Sequence, residues 1–150
     1  MTVRLRPMRR SDVELLLPFE QVLFAGDPSW TAEQFRSELD GVPRTRWYVV
    51  AEEAGDLVGY AGLFHSGETA DVQTLAVVPD RQRQGVGTAL LEGLVAEARR
   101  RGVSELLLDV REDNVAAQAF YAHHGFEQLS RRRGYYANGR VDGLVLRRIL

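Results

Sequence analysis

The segment from Asp71 to Val110 constrains the fold of this chain more strongly than any other part. An apolar-rich strand is predicted from Asp71 to Val77, and Pro79 ends it because proline has no N–H to donate to a sheet. Apolar residues then recur every fourth position from Val86 to Ala98, which predicts an amphipathic helix. Leu106 to Val110 is nearly continuous in apolar residues, as expected of a strand that is buried on both faces. A strand, a helix and a second strand therefore form the centre of the predicted fold.

Two helix starts are predicted before this segment. Ser11-x-x-Glu14 and Thr31-x-x-Gln34 each have the spacing of a capping box, in which two side chains satisfy backbone N–H groups at the start of a helix. Trp30 and Phe35 flank the second box at the positions of a hydrophobic staple. We therefore expect one helix after Ser11 and another over residues 32–39.

Further strands and one more helix complete the predicted order. Trp47 to Glu52 and Val58 to Phe64 are rich in strand-forming residues and enclose a short turn, which indicates a hairpin. Asn114 is a suitable N-cap for a helix that Gly125 ends. The other predicted strands are Val3 to Leu5, Phe126 to Leu129 and Val141 to Ile149. The order is β-α-α-β-β-β-α-β-α-β-β, and a length of 150 residues predicts one domain over residues 1–150.

Composition excludes several classes of function. The 45% of hydrophobic and 27% of charged residues are typical of a globular protein, and a net charge of -2 does not favour nucleic acid or an anionic membrane. With no cysteine, the chain can form no disulfide, thiolate metal site or cysteine acyl-enzyme. Neither a signal peptide nor a membrane-spanning run is recognisable, so we expect a cytoplasmic enzyme or binding domain. No cluster of acidic residues and histidines has persuasive metal spacing, so no metal is expected.

The segment from Gln82 to Thr88, the Gln82–Thr88 loop, is the most informative for function. Gly85 and Gly87 let the backbone approach a ligand closely, and the helix start behind them offers unpaired N–H groups to an anion. A glycine turn without a ligand is the simpler alternative. A dinucleotide loop is disfavoured because Leu90 stands where its third glycine should be, and no Gly-Lys-Ser/Thr sequence indicates a Walker loop.

Gln82-x-x-Gly85-x-Gly87 resembles the pyrophosphate-binding motif of the GNAT superfamily of acetyltransferases. The resemblance implies an α/β (α+β) fold, with a mixed, mostly antiparallel sheet of about seven strands flanked by about four helices. It also implies acetyl-CoA as cosubstrate, entering where the fourth and fifth strands splay apart, with freed backbone N–H groups holding the acetyl carbonyl. The implied contacts with the diphosphate are the amides of Arg83, Gln84, Gly85, Val86, Gly87 and Thr88, and those with the pantetheine arm are Leu75, Ala76 and Val77.

Three further segments resemble the ribosomal-protein-alanine N-acetyltransferases, the RimI type of this superfamily. They are Leu107 to Asn114 followed by Ala119-Phe120-Tyr121 and Gly125-Phe126; Pro28 to Thr31; and Arg132 to Tyr136 followed by Gly139 and Asp142. The resemblance implies transfer to the N-terminal α-amine of a ribosomal protein, without direct nucleic-acid or membrane binding. It makes Tyr121 the acid that protonates the departing thiolate, and it makes Asn114 a contact of the cofactor.

The expected general base is Asp109, at a position where the RimI type often carries glutamate. Aspartate is shorter by one methylene, about 1.5 Å of reach, so it can act through one ordered water. Asp71 is the alternative base, and together with Tyr135 it is assigned to the acceptor side. An α-amine has a pKa of about 7.7–8.0, far below the 10.4 or so of lysine, so a modest carboxylate suits an N-terminal acceptor.

The sequence is compatible with two other functions. A GNAT enzyme could acetylate a small amine such as an antibiotic, a polyamine or an amino acid. A non-catalytic acyl-CoA-binding module is disfavoured by Tyr121 and the two candidate base carboxylates. Because the chain lacks cysteine and a Gly-x-Ser-x-Gly elbow, we expect direct attack on the thioester without an acetyl-enzyme.

Overall fold

The computed structural model describes residues 3–24 and 29–150. These residues form seven strands and four α-helices. The strands are β1 (Arg4–Pro7), β2 (Arg46–Glu53), β3 (Asp56–Ser66), β4 (Thr69–Val77), β5 (Glu105–Arg111), β6 (Glu127–Tyr136) and β7 (Val141–Ile149). The α-helices are α1 (Val13–Leu23), α2 (Ala32–Asp40), α3 (Val86–Arg100) and α4 (Val115–His123). This order confirms the one predicted from the sequence.

All seven strands belong to one sheet in the order β1-β2-β3-β4-β5-β7-β6. Its neighbouring strands are antiparallel except β4 and β5, which run parallel and are connected through α3. The predicted fold class, a mixed and mostly antiparallel sheet with four helices, is therefore confirmed. None of the helices in the described ranges is long and apolar enough to span a membrane.

The first predicted capping box is wrong, and the second is confirmed. A 3-10 turn precedes α1, and Asp12 fixes it: its Oδ2 accepts from the Arg9 N–H at 2.7 Å and its Oδ1 pairs with Arg6 at 2.7 Å. The side chain of Asp12, and not that of Ser11, therefore accepts the backbone hydrogen bond at the start of this turn. At α2, the Gln34 N–H donates to Thr31 Oγ1 at 3.1 Å and the Thr31 N–H donates to Gln34 Oε1 at 2.7 Å.

Close packing against the sheet positions the start of α3. Val86, Leu90, Leu94 and Ala98 are buried, as their spacing predicts. Gly59 of β3 faces this helix, and a Cβ there would lie 2.9 Å from Leu90 Cδ1 and 2.9 Å from a backbone oxygen of β4. The absence of a side chain at Gly59 thus allows the first turns of α3 to lie against β3 and β4.

The sheet opens between β4 and β5. Their parallel pairing ends at Asp71 and Leu107, although β4 continues to pair with β3 as far as Val77. Gln73 is an extra residue in β4, because Thr74 pairs with Gly62 whereas Val72 pairs with Leu63. Such a bulge bends its strand and increases the local twist. Beyond Asp71, β4 therefore leaves β5, and a cleft forms in the middle of the sheet.

Candidate active site

A cavity of about 820 Å³ lies where β4 and β5 separate. Its walls come from both strands, from α1, from the segment before α2, from α4 and its N-cap, and from β6, β7 and the connection between them. Its charged and hydroxyl-bearing aromatic side chains are Glu20, Asp71, Asp109, Arg111, Tyr121, Arg132, Tyr135 and Tyr136. A cavity of this volume is within the usual range for small-molecule sites.

The two candidate base carboxylates face this cavity from opposite sides of the cleft. Asp71 is the last residue of β4 that pairs with β5, and Asp109 lies two residues beyond the last pair on β5. Burial raises the pKa of Asp71, the negative charge of Asp109 raises it further, and the positive charge of Arg132 opposes both effects. Asp71 therefore holds its proton to a higher pH than an ordinary aspartate does.

Asp109 is held by an arginine from another strand. Its Oδ1 lies 2.9 Å from the Nε of Arg132, and the Asp109 side chain is 33% exposed. The Asp109 carboxylate therefore has a fixed counter-ion and still faces solvent in the cavity.

Tyr121 of α4 also lines the cavity, with its ring packed against its neighbours. The ring centroid lies 5.2 Å from that of Phe120 and 5.4 Å from that of Phe126. Burial raises the pKa of Tyr121 to about 12. The phenol is therefore protonated near neutral pH and can donate a proton or a hydrogen bond.

A buried carboxyl closes the side of the cavity formed by α1. Glu20 is only 4% exposed; its Oε1 accepts from the Tyr60 hydroxyl at 2.9 Å and its Oε2 from the Trp30 N–H at 3.3 Å. Burial raises the pKa of Glu20. Trp30 in turn packs on Phe35 with the ring centroids 4.9 Å apart, so the predicted staple is confirmed and also supports a wall of the cavity.

Two tyrosines form the opposite wall. The rings of Tyr135 and Tyr136 lie 5.0 Å apart and edge to face, and Tyr135 is 54% exposed. Gly143 of β7 leaves room for them, because a Cβ there would lie 3.1 Å from the ring of Tyr136 and 3.2 Å from that of Tyr135. Tyr135 is thus positioned for contact with a molecule that enters from solvent.

The Gln82–Thr88 loop connects the end of β4 to α3. Gln82 Nε2 donates to the carbonyl of Val77 at 3.1 Å, and Gly85 is the N-cap of α3 with a φ of +89°. The first backbone N–H groups of a helix have no carbonyl one turn before them, so this end of α3 attracts an anion. In the described part of the chain the loop lies outside the lining of the cavity. A ligand that uses both must therefore be long.

Asn114 and Phe120 of the α4 region connect the loop to the cavity. Asn114 lines the cavity and caps α4 by accepting from the Ala117 N–H at 3.1 Å. A Cβ at Gly87 would lie 3.4 Å from the ring of Phe120, the residue before Tyr121. The predicted anion site therefore lies next to Phe120, and the predicted acid, Tyr121, is the following residue on the same helix.

The structure brings the predicted catalytic and acceptor-side residues together at the cavity, with two of the predicted cofactor contacts. Asp71, Leu75, Asp109, Asn114, Tyr121 and Tyr135 line it. Ala76 and Val77 lie further along β4, toward the Gln82–Thr88 loop. Pro28 lies outside the described residues. In the described ranges no group of three or more acidic or histidine side chains is placed to bind a metal ion.

Sequence reasoning missed Glu20, Phe24 and Gly143. Glu20 follows a run of apolar residues and is one helical turn beyond the buried Leu16. That spacing was an available signal that its carboxyl is buried. Phe24 and Gly143 carry no local signal, because only the packing of α1 brings Phe24 to the cavity and only the packing of β7 brings Gly143 against the rings of Tyr135 and Tyr136.

Comparison with known proteins identifies relatives of this chain. The sequence model of the acetyltransferase (GNAT) family matches residues 13–126. The N-alpha-acetyltransferase RimI of Mycobacterium tuberculosis is 38% identical over 97% of this chain and 92% of its own length. The alanine N-acetyltransferase of ribosomal protein bS18 from Escherichia coli is 46% identical over 53% of this chain and 55% of its own length. The crystal structure of the ribosomal-protein-S18-alanine N-acetyltransferase from Escherichia coli superimposes with a TM-score of 0.87 at 31% identity, covering 99% of this chain and 94% of that one.

Substitution of Gly87 tests the predicted diphosphate site. Gly87→Asp places a carboxylate at the start of α3, and we expect it to weaken acetyl-CoA binding by about tenfold or more, since each 1.4 kcal/mol of repulsion is a factor of ten. Titration calorimetry measures the affinity. Gly87→Ala is the matched control, because its Cβ would be in ordinary contact with Phe120 and it adds no charge. Equal affinities of the Asp and Ala variants would exclude an anion at this helix end.

Proposed function

Because this chain belongs to the acetyltransferase (GNAT) family, we propose that it transfers the acetyl group of acetyl-CoA to the N-terminal α-amine of a ribosomal protein that begins with alanine. Membership of this family makes the chain an acetyl-CoA-dependent N-acetyltransferase. The acceptor is inferred from the relatives that act on bS18 and from the cavity, in which two carboxylates and a protonated tyrosine surround one space beside an exposed tyrosine wall. Such an acceptor implies a cytoplasmic enzyme.

The residues present fit acetyl-CoA. The start of α3 offers backbone N–H groups to a diphosphate, and the glycine at position 87 keeps that end clear of a side chain. From there the separated strands β4 and β5 leave a path for an extended arm past Leu75 to Tyr121. Backbone N–H groups of β4 that lose their β5 partner beyond Asp71 are suited to hold a carbonyl oxygen. Bound acetyl-CoA supplies an acetyl group that is activated as a thioester.

Asp109 is the general base of this proposal. Its Oδ1 is engaged by Arg132, whereas no hydrogen bond from any described residue reaches Oδ2, which can accept the proton of the incoming amine directly or through one water. The neighbouring Asp71 has a raised pKa and therefore retains its proton to a higher pH than an ordinary aspartate does. The Asp109 carboxylate, which is paired with a cation and partly exposed, is better suited to accept a proton. In this mechanism Asp71 contributes to the electrostatic potential around the amine.

Tyr121 is the general acid. As the amine nitrogen bonds to the acetyl carbon and the carbon–sulfur bond breaks, the Tyr121 hydroxyl donates to the sulfur. The pKa of about 12 keeps this hydroxyl protonated before the reaction. The amine proton goes to Asp109, and the thiol leaves carrying the proton of Tyr121. No acyl-enzyme is formed, because the amine attacks directly.

Acetylation of a peptide tests the acceptor. A short peptide that copies the N-terminus of bS18 should release CoA in the presence of acetyl-CoA, and the same peptide with a blocked α-amine should not. Mass spectrometry of the product locates the acetyl group. Turnover of a polyamine or an amino acid together with no turnover of the peptide would reject the ribosomal acceptor and assign the enzyme to small amines.

Removal of one hydroxyl tests the acid. Tyr121→Phe should lower kcat by about 10²-fold or more, the usual contribution of a proton-transfer group. The affinity for acetyl-CoA and the melting temperature should stay close to those of the wild type, because phenylalanine retains the ring that packs against Phe120 and Phe126. A kcat near that of the wild type would exclude Tyr121 as the acid.

Paired amide variants test the base. Asp109→Asn should lower kcat at pH 7 by about 10²-fold or more. Its residual rate should rise with pH until the peptide α-amine itself is neutral, near its pKa of about 7.7–8.0. Asp71→Asn should reduce kcat far less. If Asp71 is instead the base, its raised pKa places the loss of activity on acidification at a higher pH than for an ordinary aspartate, and Asp71→Asn rather than Asp109→Asn abolishes turnover.

A further inference from the structure

Arg132 reaches the cavity from the outermost strand of the sheet. It lies on β6, and β7 separates β6 from β5, so the backbones of β6 and β5 are two strand spacings apart, about 10 Å, and the side chains of Arg132 and Asp109 meet across β7. On β7 the residue opposite Arg132 is Gly143, and the residue opposite Asp109 is Val145. Gly143 has no side chain at this crossing point, and the rings of Tyr135 and Tyr136 lie closest to it.

The contact between Arg132 and Asp109 engages one carboxylate oxygen only. Arg132 Nε lies 2.9 Å from Asp109 Oδ1, and among residues 3–24 and 29–150 no hydrogen bond is made to Oδ2. The guanidinium carbon of Arg132 also lies 5.4 Å from the ring centroid of Tyr135. Arg132 therefore contacts the candidate base and the exposed aromatic wall at the same time.

We propose that Arg132 is a positioning residue for acetyl transfer, which fixes Asp109 through Oδ1 and leaves Oδ2 for the acceptor amine. This inference rests on the proposed function, because it requires Asp109 to accept the proton. Asp109 lies at the edge of the cleft, where β5 is no longer paired with β4. The residue opposite Asp109 on β7 is the apolar Val145. A side chain with so little support needs a partner to hold one rotamer.

The ion pair is poorly suited to a role in stability. The Arg132 side chain is 52% exposed and that of Asp109 is 33% exposed, and ion pairs with this exposure contribute little to folding. Arginine is also the better cation for this geometry than lysine. Its Nε–H and planar group can hold a carboxylate and lie over a ring together, whereas an ammonium acts as a point charge.

The other charged groups on the strands around Asp109 either pair with another residue or carry a negative charge. Arg111 of β5 pairs with Asp113 at 2.8 Å, and Arg147 of β7 lies 3.8 Å from Glu105. Asp71 of β4 repels Asp109 rather than holding it. Arg132 is therefore the cation with a direct contact to Asp109 in the described part of the chain.

A double-mutant cycle tests the proposal with acetyl-CoA and the bS18-like peptide. The variants are Arg132→Gln, Asp109→Asn and the double variant, with Arg133→Gln as a matched control one residue along the same strand. Arg133 is exposed and lies outside the lining of the cavity. Arg132→Gln should lower kcat by about tenfold, part of the 10²–10⁴-fold that a general base contributes. The KM for acetyl-CoA and the melting temperature should not change, and Arg133→Gln should retain the kcat of the wild type.

The decisive quantity is the effect of Arg132→Gln when Asp109 is already asparagine. If Arg132 acts through Asp109, kcat of the double variant equals that of Asp109→Asn alone, and Arg132→Lys restores only part of the wild-type rate. Equal losses from Arg132→Gln in both backgrounds would overturn the proposal, as would an unchanged kcat in the single variant. Full activity of Asp109→Asn would instead reject Asp109 as the base, and with it the proposed mechanism on which this role depends.

Discussion

The early end of pairing between β4 and β5 is the constraint on which the rest of the site depends. Backbone hydrogen bonds normally continue along neighbouring strands, but here they stop at Asp71 and Leu107, and the extra residue Gln73 bends β4 away. The cleft exposes backbone donors in the middle of a sheet and brings residues on either side of it to one cavity. A continuous ladder would have filled the same space with hydrogen bonds and left no room for a ligand.

The opening is tolerated because its two halves are anchored elsewhere. β4 stays paired with β3 throughout, and β5 stays paired with β7 from Glu105 to Arg111. On one face, α3 packs against β3 and β4 so closely that Gly59 has no space for a Cβ. This packing also fixes the direction of the α3 start, so the anion-attracting end of the helix and the cleft belong to one rigid arrangement.

Electrostatics then distinguish the carboxyl groups around the cavity. Burial raises the pKa of Glu20, although hydrogen bonds to both of its oxygens oppose this effect. Burial and the negative charge of Asp109 raise the pKa of Asp71. Asp109 has Arg132 as counter-ion and faces the solvent-filled space. Three acidic side chains that line one cavity thus differ in burial and in their partners.

The sequence by itself determined the order of elements, the amphipathic α3, the second capping box and the glycine loop, because each depends on local spacing along the chain. It also identified candidate site residues that the structure places around one cavity: Asp71, Asp109, Asn114, Tyr121 and Tyr135. Only the tertiary structure decided that Asp12 rather than Ser11 fixes the start of α1, that Glu20 is a buried wall and that Arg132 holds Asp109. Local spacing indicates at most that Glu20 is buried. These contacts join residues from different elements or compete with a local motif, so the partner that each side chain meets depends on strand order and packing, which no local pattern encodes.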